Sequence, residues 1–194
     1  MSRELPFPIT FELPDGWTLV PPEASGRADA ACVAVRDADT AGPVATNIVI
    51  SGLGVHGAAV DVAALASAQL TNLHQNYAVT VLRRDVTPDA PAPQAAHLLQ
   101  IEYPHGESAT TVRQIRIVTA FAGPENPADV AVLQLVMTCP VEVFDDAGRE
   151  FGRFVASIAP AASTGATSKS EVGEQIPAAA TLDKVDRQPG PTGV

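Results

Sequence analysis

Between residues 79 and 138 the chain carries four apolar-rich stretches, 79–86, 95–103, 111–121 and 130–138, parted by loops rich in Pro, Gly and Asp. Those loops hold no crossover helix of the dozen or more residues that a parallel pair needs, so the stretches form an antiparallel meander. The last is the most regular. Leu133, Leu135 and Met137 fall on one face of it, and Val132, Gln134, Val136 and Thr138 on the other.

Ahead of the meander, 9–13 and 17–20 flank Pro14-Asp15-Gly16, a proline-and-glycine turn that makes a hairpin or a tight corner. Cys32, Val33 and Val35 mark a strand over 30–37, and Ile48, Val49 and Ile50 another over 46–53. Asp61 then precedes Val62, Leu65, Ala66, Gln69, Leu70 and Leu73, an apolar stripe at helical spacing that predicts a capped helix ending near Asn76. After Thr138-Cys139-Pro140, whose proline suits a first helical turn, Phe144, Phe151, Phe154, Val155 and Ile158 predict a closing amphipathic helix stopped at Ala159-Pro160. The order of four strands, helix, four strands, helix implies an α+β fold, a mostly antiparallel sheet packed by helices.

A chain of 194 residues, 46% of them apolar, suits one such domain. We place its boundary at 160. Residues 161–194 form an acidic, Pro-, Gly- and Ala-rich tail with few large apolar side chains, expected to be disordered because it cannot offset its chain entropy by burial. With 22 acidic against 12 basic residues and a net charge of −10, nucleic acid is excluded as an expected partner. No run approaches the roughly 20 apolar residues of a membrane span, and the start carries no apolar leader, so the expected location is the cytoplasm. Cys32 and Cys139 lie in apolar strands and are expected as small buried hydrophobes.

The sequence holds one literal dinucleotide-type motif, Gly52-Leu53-Gly54-Val55-His56-Gly57, between a strand and a helix. The helix starts only at Asp61, too far on for its amides to meet a pyrophosphate among the glycines, and Asp61 would repel one; a glycine-rich connection is the expectation. His56, His74, His97 and His105 show no metal-ligand spacing. Glu102, His105 and Glu107 are expected to gather at a hairpin tip, where polar residues are ordinary. Asp145, Asp146 and Glu150, with Arg149 and Arg153, are expected on the solvated face of the last helix. Cys139 alternates with the core residues of its strand and is expected in the core rather than as a nucleophile.

The more telling pattern is the second face of the meander, where Gln114, Arg116 and Val118 lie beside Gln134 and Val136, with Gln100 and Glu102 assigned to the same side. Apolar patches with interspersed amides suit another polypeptide, the patches through burial and the amides through hydrogen bonds. On that expectation Gln114 and Gln134 face solvent or a partner.

Leu13-Pro14-Asp15-Gly16-Trp17, the Asn47-Ile48-Val49-Ile50 strand, the mid-chain helix, and Thr138-Cys139-Pro140 leading to Phe151 and Pro160 resemble the PsbP-like superfamily. That superfamily shares its fold with a Ran-binding nuclear import factor, and includes LpqN-type and DcrB-type lipoproteins and Eag-type secretion chaperones. The resemblance implies an α/β/α sandwich used mainly to bind proteins. Unlike the lipoprotein members, this chain has no lipobox cysteine near its start, which favours a cytoplasmic adaptor or chaperone.

The expectation is therefore a non-enzymatic module that holds an amphipathic or apolar segment at Gln100, Gln114, Arg116, Gln134 and Val136, with no catalytic residue, cofactor or metal assigned. Two alternatives stay open. One is a nucleotide- or metal-binding enzyme using the Gly52–Gly57 loop or the Glu102–Glu107 tip; the other is a structural homodimer subunit.

Overall fold

The chain order is β1 (Ile9–Phe11), β2 (Trp17–Val20), β3 (Cys32–Arg36), β4 (Asn47–His56), α1 (Val62–Asn76), β5 (Ala78–Thr87), β6 (Gln94–His105), β7 (Ser108–Ala122), β8 (Asp129–Pro140), α2 (Phe144–Ser157), β9 (Ala159–Pro160) and β10 (Glu174–Ile176). The computed structural model describes residues 7–27, 29–39, 44–57, 59–88, 92–105, 108–161 and 174–176. The expectation of a disordered tail lies outside the described residues, apart from Ala161 and the β10 strand.

Seven strands form one antiparallel sheet in the order β2-β3-β4-β8-β7-β6-β5, and a small second sheet has the order β10-β1-β9. The meander is realised as β5 to β8, and β8 joins it to the earlier strands through β4, with Ile48 opposite Met137 and Ile50 opposite Leu135. β8 stands at the middle of the sheet because it is apolar on both sides. Leu133, Leu135, Met137 and Cys139, all fully buried, face α2, whereas Val132 packs with Val62 and Ala66 of α1.

Each helix buries one stripe. α1 turns Val62, Ala66 and Leu70 to the sheet, one turn apart, and Asp61 caps it by accepting from the Ala64 amide at 2.9 Å. Leu65 stays exposed although it belongs to the predicted stripe. α2 buries Ala147, Phe151 and Phe154, with Phe11 of β1 edge-on to Phe154 at 5.4 Å between ring centres. Pro140 closes β8 rather than opening α2: its ψ of 152° is extended, and a short 3-10 turn, Val141–Val143, intervenes. Pro14-Asp15-Gly16 is a corner between two sheets, with Trp17 N–H donating to Pro14 O at 3.3 Å and Gly16 at a φ of +77°.

The motif Gly52-Leu53-Gly54-Val55-His56-Gly57 departs most from expectation. Gly52 and Gly54 lie inside β4, opposite Leu133 and Ala131 of β8, and continue the buried face begun by Ile48 and Ile50. Of these three glycines only Gly57, past the strand end, takes a positive φ, 68°. A straight paired strand has its amides committed to its neighbours, so it cannot wrap a pyrophosphate as a glycine turn does.

Candidate binding cleft

Register decides which side chains share the helix-α1 side of the sheet. β7 and β8 pair Gln114 with Thr138, Arg116 with Val136 and Val118 with Gln134, while β4 adds Val49 opposite Val136 and Ser51 opposite Gln134. Paired residues point the same way. Four of the five residues predicted to meet a partner, Gln114, Arg116, Gln134 and Val136, therefore come together on one face. Gln100 does not. It pairs with Arg113, whose neighbours Gln114 and Val112 point to α1, so Gln100 belongs to the opposite, α2 side, and Glu102 with it.

The N-terminal half of α1 seals its part of this face against Ala95, Val118, Ala120 and Val132. Its C-terminal half stands over a cleft of about 490 Å³, closed on the far side by the loop bearing Arg27 and Asp29. Gln114, Arg116, Gln134 and Val136 form the cleft floor, and Tyr77 and Tyr103, edge-on at 4.8 Å, form one end. Arg27, Tyr77 and Gln69 carry no sequence signal for this role; only the docking of the loop and α1 onto the sheet brings them there.

The floor is knitted by side chains. Gln69 donates to Gln134 Oε1 at 3.1 Å, tying α1 to β8. Gln114 Nε2 donates to Thr138 Oγ1 at 2.9 Å, and Gln114 Oε1 accepts from Arg116 Nη1 at 2.9 Å. Gln114 is only 3% exposed, so the expectation that it faces solvent is corrected: both ends of its amide are spent inside the floor. Arg116 Nε is sealed from solvent and has no acceptor, and no carboxylate pairs with this guanidinium among the described residues.

Electrostatics follow from that geometry. Burial pushes the Arg116 pKa below its usual value; the Tyr103 phenol acts against it, and Arg27 adds a smaller push downward. Burial also raises the Tyr103 phenol, with Tyr77 adding to the shift. His97, buried across from Arg116, is held down by burial and by the charges of Arg84 and Arg116, which favours its neutral form.

The remaining sequence candidates scatter. His56 meets Asp129 at 2.5 Å as an exposed cross-strand pair at the end of β4. Glu102 is exposed on β6, while Glu107 and the His105 side chain lie outside the described residues. No cluster of three or more metal-ligating side chains occurs among the described residues. Cys139 is buried in the α2-side core, and burial pushes its thiol up to about 12, so it is no thiolate. Asp146 pairs with Arg149 on the surface, but Glu150 corrects the expectation of a solvated face. It accepts from Trp17 Nε1 at 2.8 Å and from Arg36 Nε and Nη2 at 3.0 and 2.9 Å.

Among the described residues no helix is long and apolar enough to cross a membrane. No family model and no curated protein matches the sequence. Among solved structures the chain is similar to LpqN of Mycobacterium tuberculosis, described as involved in cell envelope biogenesis, with a TM-score of 0.52 and 17% identity over 79% of this chain and 84% of that one. CyanoP, the PsbP of Synechocystis, gives 0.42 and 7% over 79% and 86%, and the Ran-binding protein Mog1p of Saccharomyces cerevisiae gives 0.43 and 12% over 78% and 89%. The likeness to LpqN is one of architecture alone: an α+β fold with a helix on each face of a mostly antiparallel sheet.

Proposed function

We propose that this chain is a non-enzymatic protein-binding module, an adaptor or chaperone, whose site is the cleft between α1, the Arg27 loop and the sheet. The observation that carries the reading is the mixed floor: Val49 and Val136 offer apolar surface beside the amides of Gln69 and Gln134, a combination that suits an amphipathic segment. The chemistry around the cleft supports binding over catalysis. Its polar groups are mostly amides, with two guanidinium groups, two phenols, the Ser51 hydroxyl and the rim carboxylate of Asp29, and the Cys139 thiol lies on the other face of the sheet.

A photo-crosslinking side chain placed at Asn76, on the cleft rim, should trap a discrete protein in the native cell, whereas the same side chain at Arg153 on exposed α2 should not. Equal trapping at both positions, or at Arg153 alone, refutes the assignment of the site.

One observation favours a second reading, a homodimer. β5 is the last strand of the sheet, and Leu82 and Val86 on it are 44% and 50% exposed. Light scattering across a concentration series separates the two, since a monomer at all concentrations removes the homodimer.

A further inference from the structure

Among the described residues, the guanidinium on the cleft floor faces no carboxylate. Arg116 lies on that floor with one proton donor, Nη1, given to the neutral oxygen of Gln114, and with Nε buried and without an acceptor. Native proteins pair buried guanidinium groups, since an ionised group removed from water costs several kcal/mol unless hydrogen-bonded charge faces it. Arg27 lines the same cleft, and Asp29 at the rim is the one carboxylate among the described residues lining it. The cleft is thus cationic in a chain whose net charge is −10, so the local field runs against that of the whole molecule.

The surroundings say which anion fits. Amides from Gln134 and Gln69, with the exposed amides of Asn72 and Asn76 above, provide neutral donors around one guanidinium. That is the donor set for a planar group of one negative charge. A phosphate, with two charges, would draw on more cations than one floor arginine and one rim arginine beside an aspartate.

We propose that the cleft is a carboxylate-binding site, in which the guanidinium of Arg116 and the neighbouring amides hold a carboxylate presented by a bound polypeptide. The polypeptide as source rests on the protein-binding reading above; the site itself rests on Arg116. The depressed Arg116 pKa agrees with this, because an approaching carboxylate restores the interaction that burial removes.

The test observes the Arg116 Nε–H resonance of the full chain by NMR, assigned by its loss in Arg116→Lys. The probes are sodium acetate, sodium chloride, and two amphipathic Leu/Gln peptides that differ only in one central glutamate or glutamine. Acetate and the glutamate peptide should move the resonance saturably, chloride should not, and the glutamine peptide should bind about tenfold or more weakly, the loss of one charge-assisted hydrogen bond. Gln114→Glu supplies a second check. It places an internal carboxylate beside Arg116, so it should weaken acetate binding by a similar factor while keeping the dispersion of a folded spectrum.

An unmoved Nε–H, or an equal response to chloride, overturns the carboxylate site. Equal binding of the two peptides overturns it while leaving the protein-binding reading in place. A response to acetate with neither peptide bound overturns the polypeptide source and, with it, the reading on which that source rests.

Discussion

Replacing Glu150 by Gln should destabilise the fold by about 2–3 kcal/mol, the scale of one charge-assisted hydrogen bond lost in a half-buried network. Oε2 of Glu150 accepts from both Trp17 Nε1 and Arg36 Nε, and Oε1 accepts from Arg36 Nη2. A glutamine keeps one oxygen for the first pair but turns its NH2 toward Nη2, donor against donor. The cost stops short of a fully orphaned guanidinium because Arg36 Nη1 still reaches Asp39 at 3.1 Å, itself held by Thr46 at 2.7 Å. Glu150 ties α2 to β2 and β3, and its side chain is 17% exposed, so solvent screens the pair only in part. For a domain of this size the loss corresponds to about 4–12 °C in melting temperature. The carboxyl also has a pH signature. Burial acts to raise its pKa, but the hydrogen bonds from Arg36 and Trp17 outweigh burial and hold it below the usual carboxylate value. A depressed folded pKa contributes stability that is present above the unfolded value and lost as pH falls through the folded one. Thermal melts of wild type and Glu150→Gln from neutral pH into the acid range should therefore converge as pH falls. A loss below about 0.5 kcal/mol at neutral pH, the range of ordinary surface substitutions, would refute the network argument.

His97 has a depressed folded pKa too, because burial comes first and Arg84 and Arg116 second, so stability should fall as pH drops below the ordinary histidine value. His97→Gln should flatten that part of the stability profile, as followed by denaturant titration at each pH. Cys139, fully buried with a thiol near 12, should resist iodoacetamide at pH 8 in the native protein and react only on unfolding, as read by intact mass. Asp61→Ala should cost about 1 kcal/mol through loss of the α1 cap, measured by chemical denaturation.

Strand and helix positions were legible because burial repeats at the period of the element: Leu133, Leu135 and Met137 announce β8, and Phe151 and Phe154 announce α2. Where the sequence misled, the missing information was between elements. Gln100 was assigned to the wrong face because pairing with Arg113 rather than a neighbour one step along is a matter of register, and one residue of slip exchanges the faces. Gly52 and Gly54 looked like a turn because glycine is permissive; here they sit in a strand whose pairing with β8 fixes them extended. Glu150 looked solvated because helical spacing gives a face but not the arginine and tryptophan that arrive on it from residues more than a hundred positions earlier. The cleft was half legible, its floor through strand alternation and its walls not at all.

The small sheet has a consequence for how the molecule comes to exist. β1 is made first, yet Thr10 is opposite Ala159, a separation of 149 positions, and Phe11 meets Phe154. At about 5–20 residues per second, Phe7, Ile9 and Phe11 wait roughly 7–30 s after synthesis for α2 and β9 to emerge. Ile9 and Phe11, among the most deeply buried side chains of the finished protein, thus lack their α2 and β9 partners over that interval. β1 is a clasp that cannot shut until residues about 150 positions later have been made.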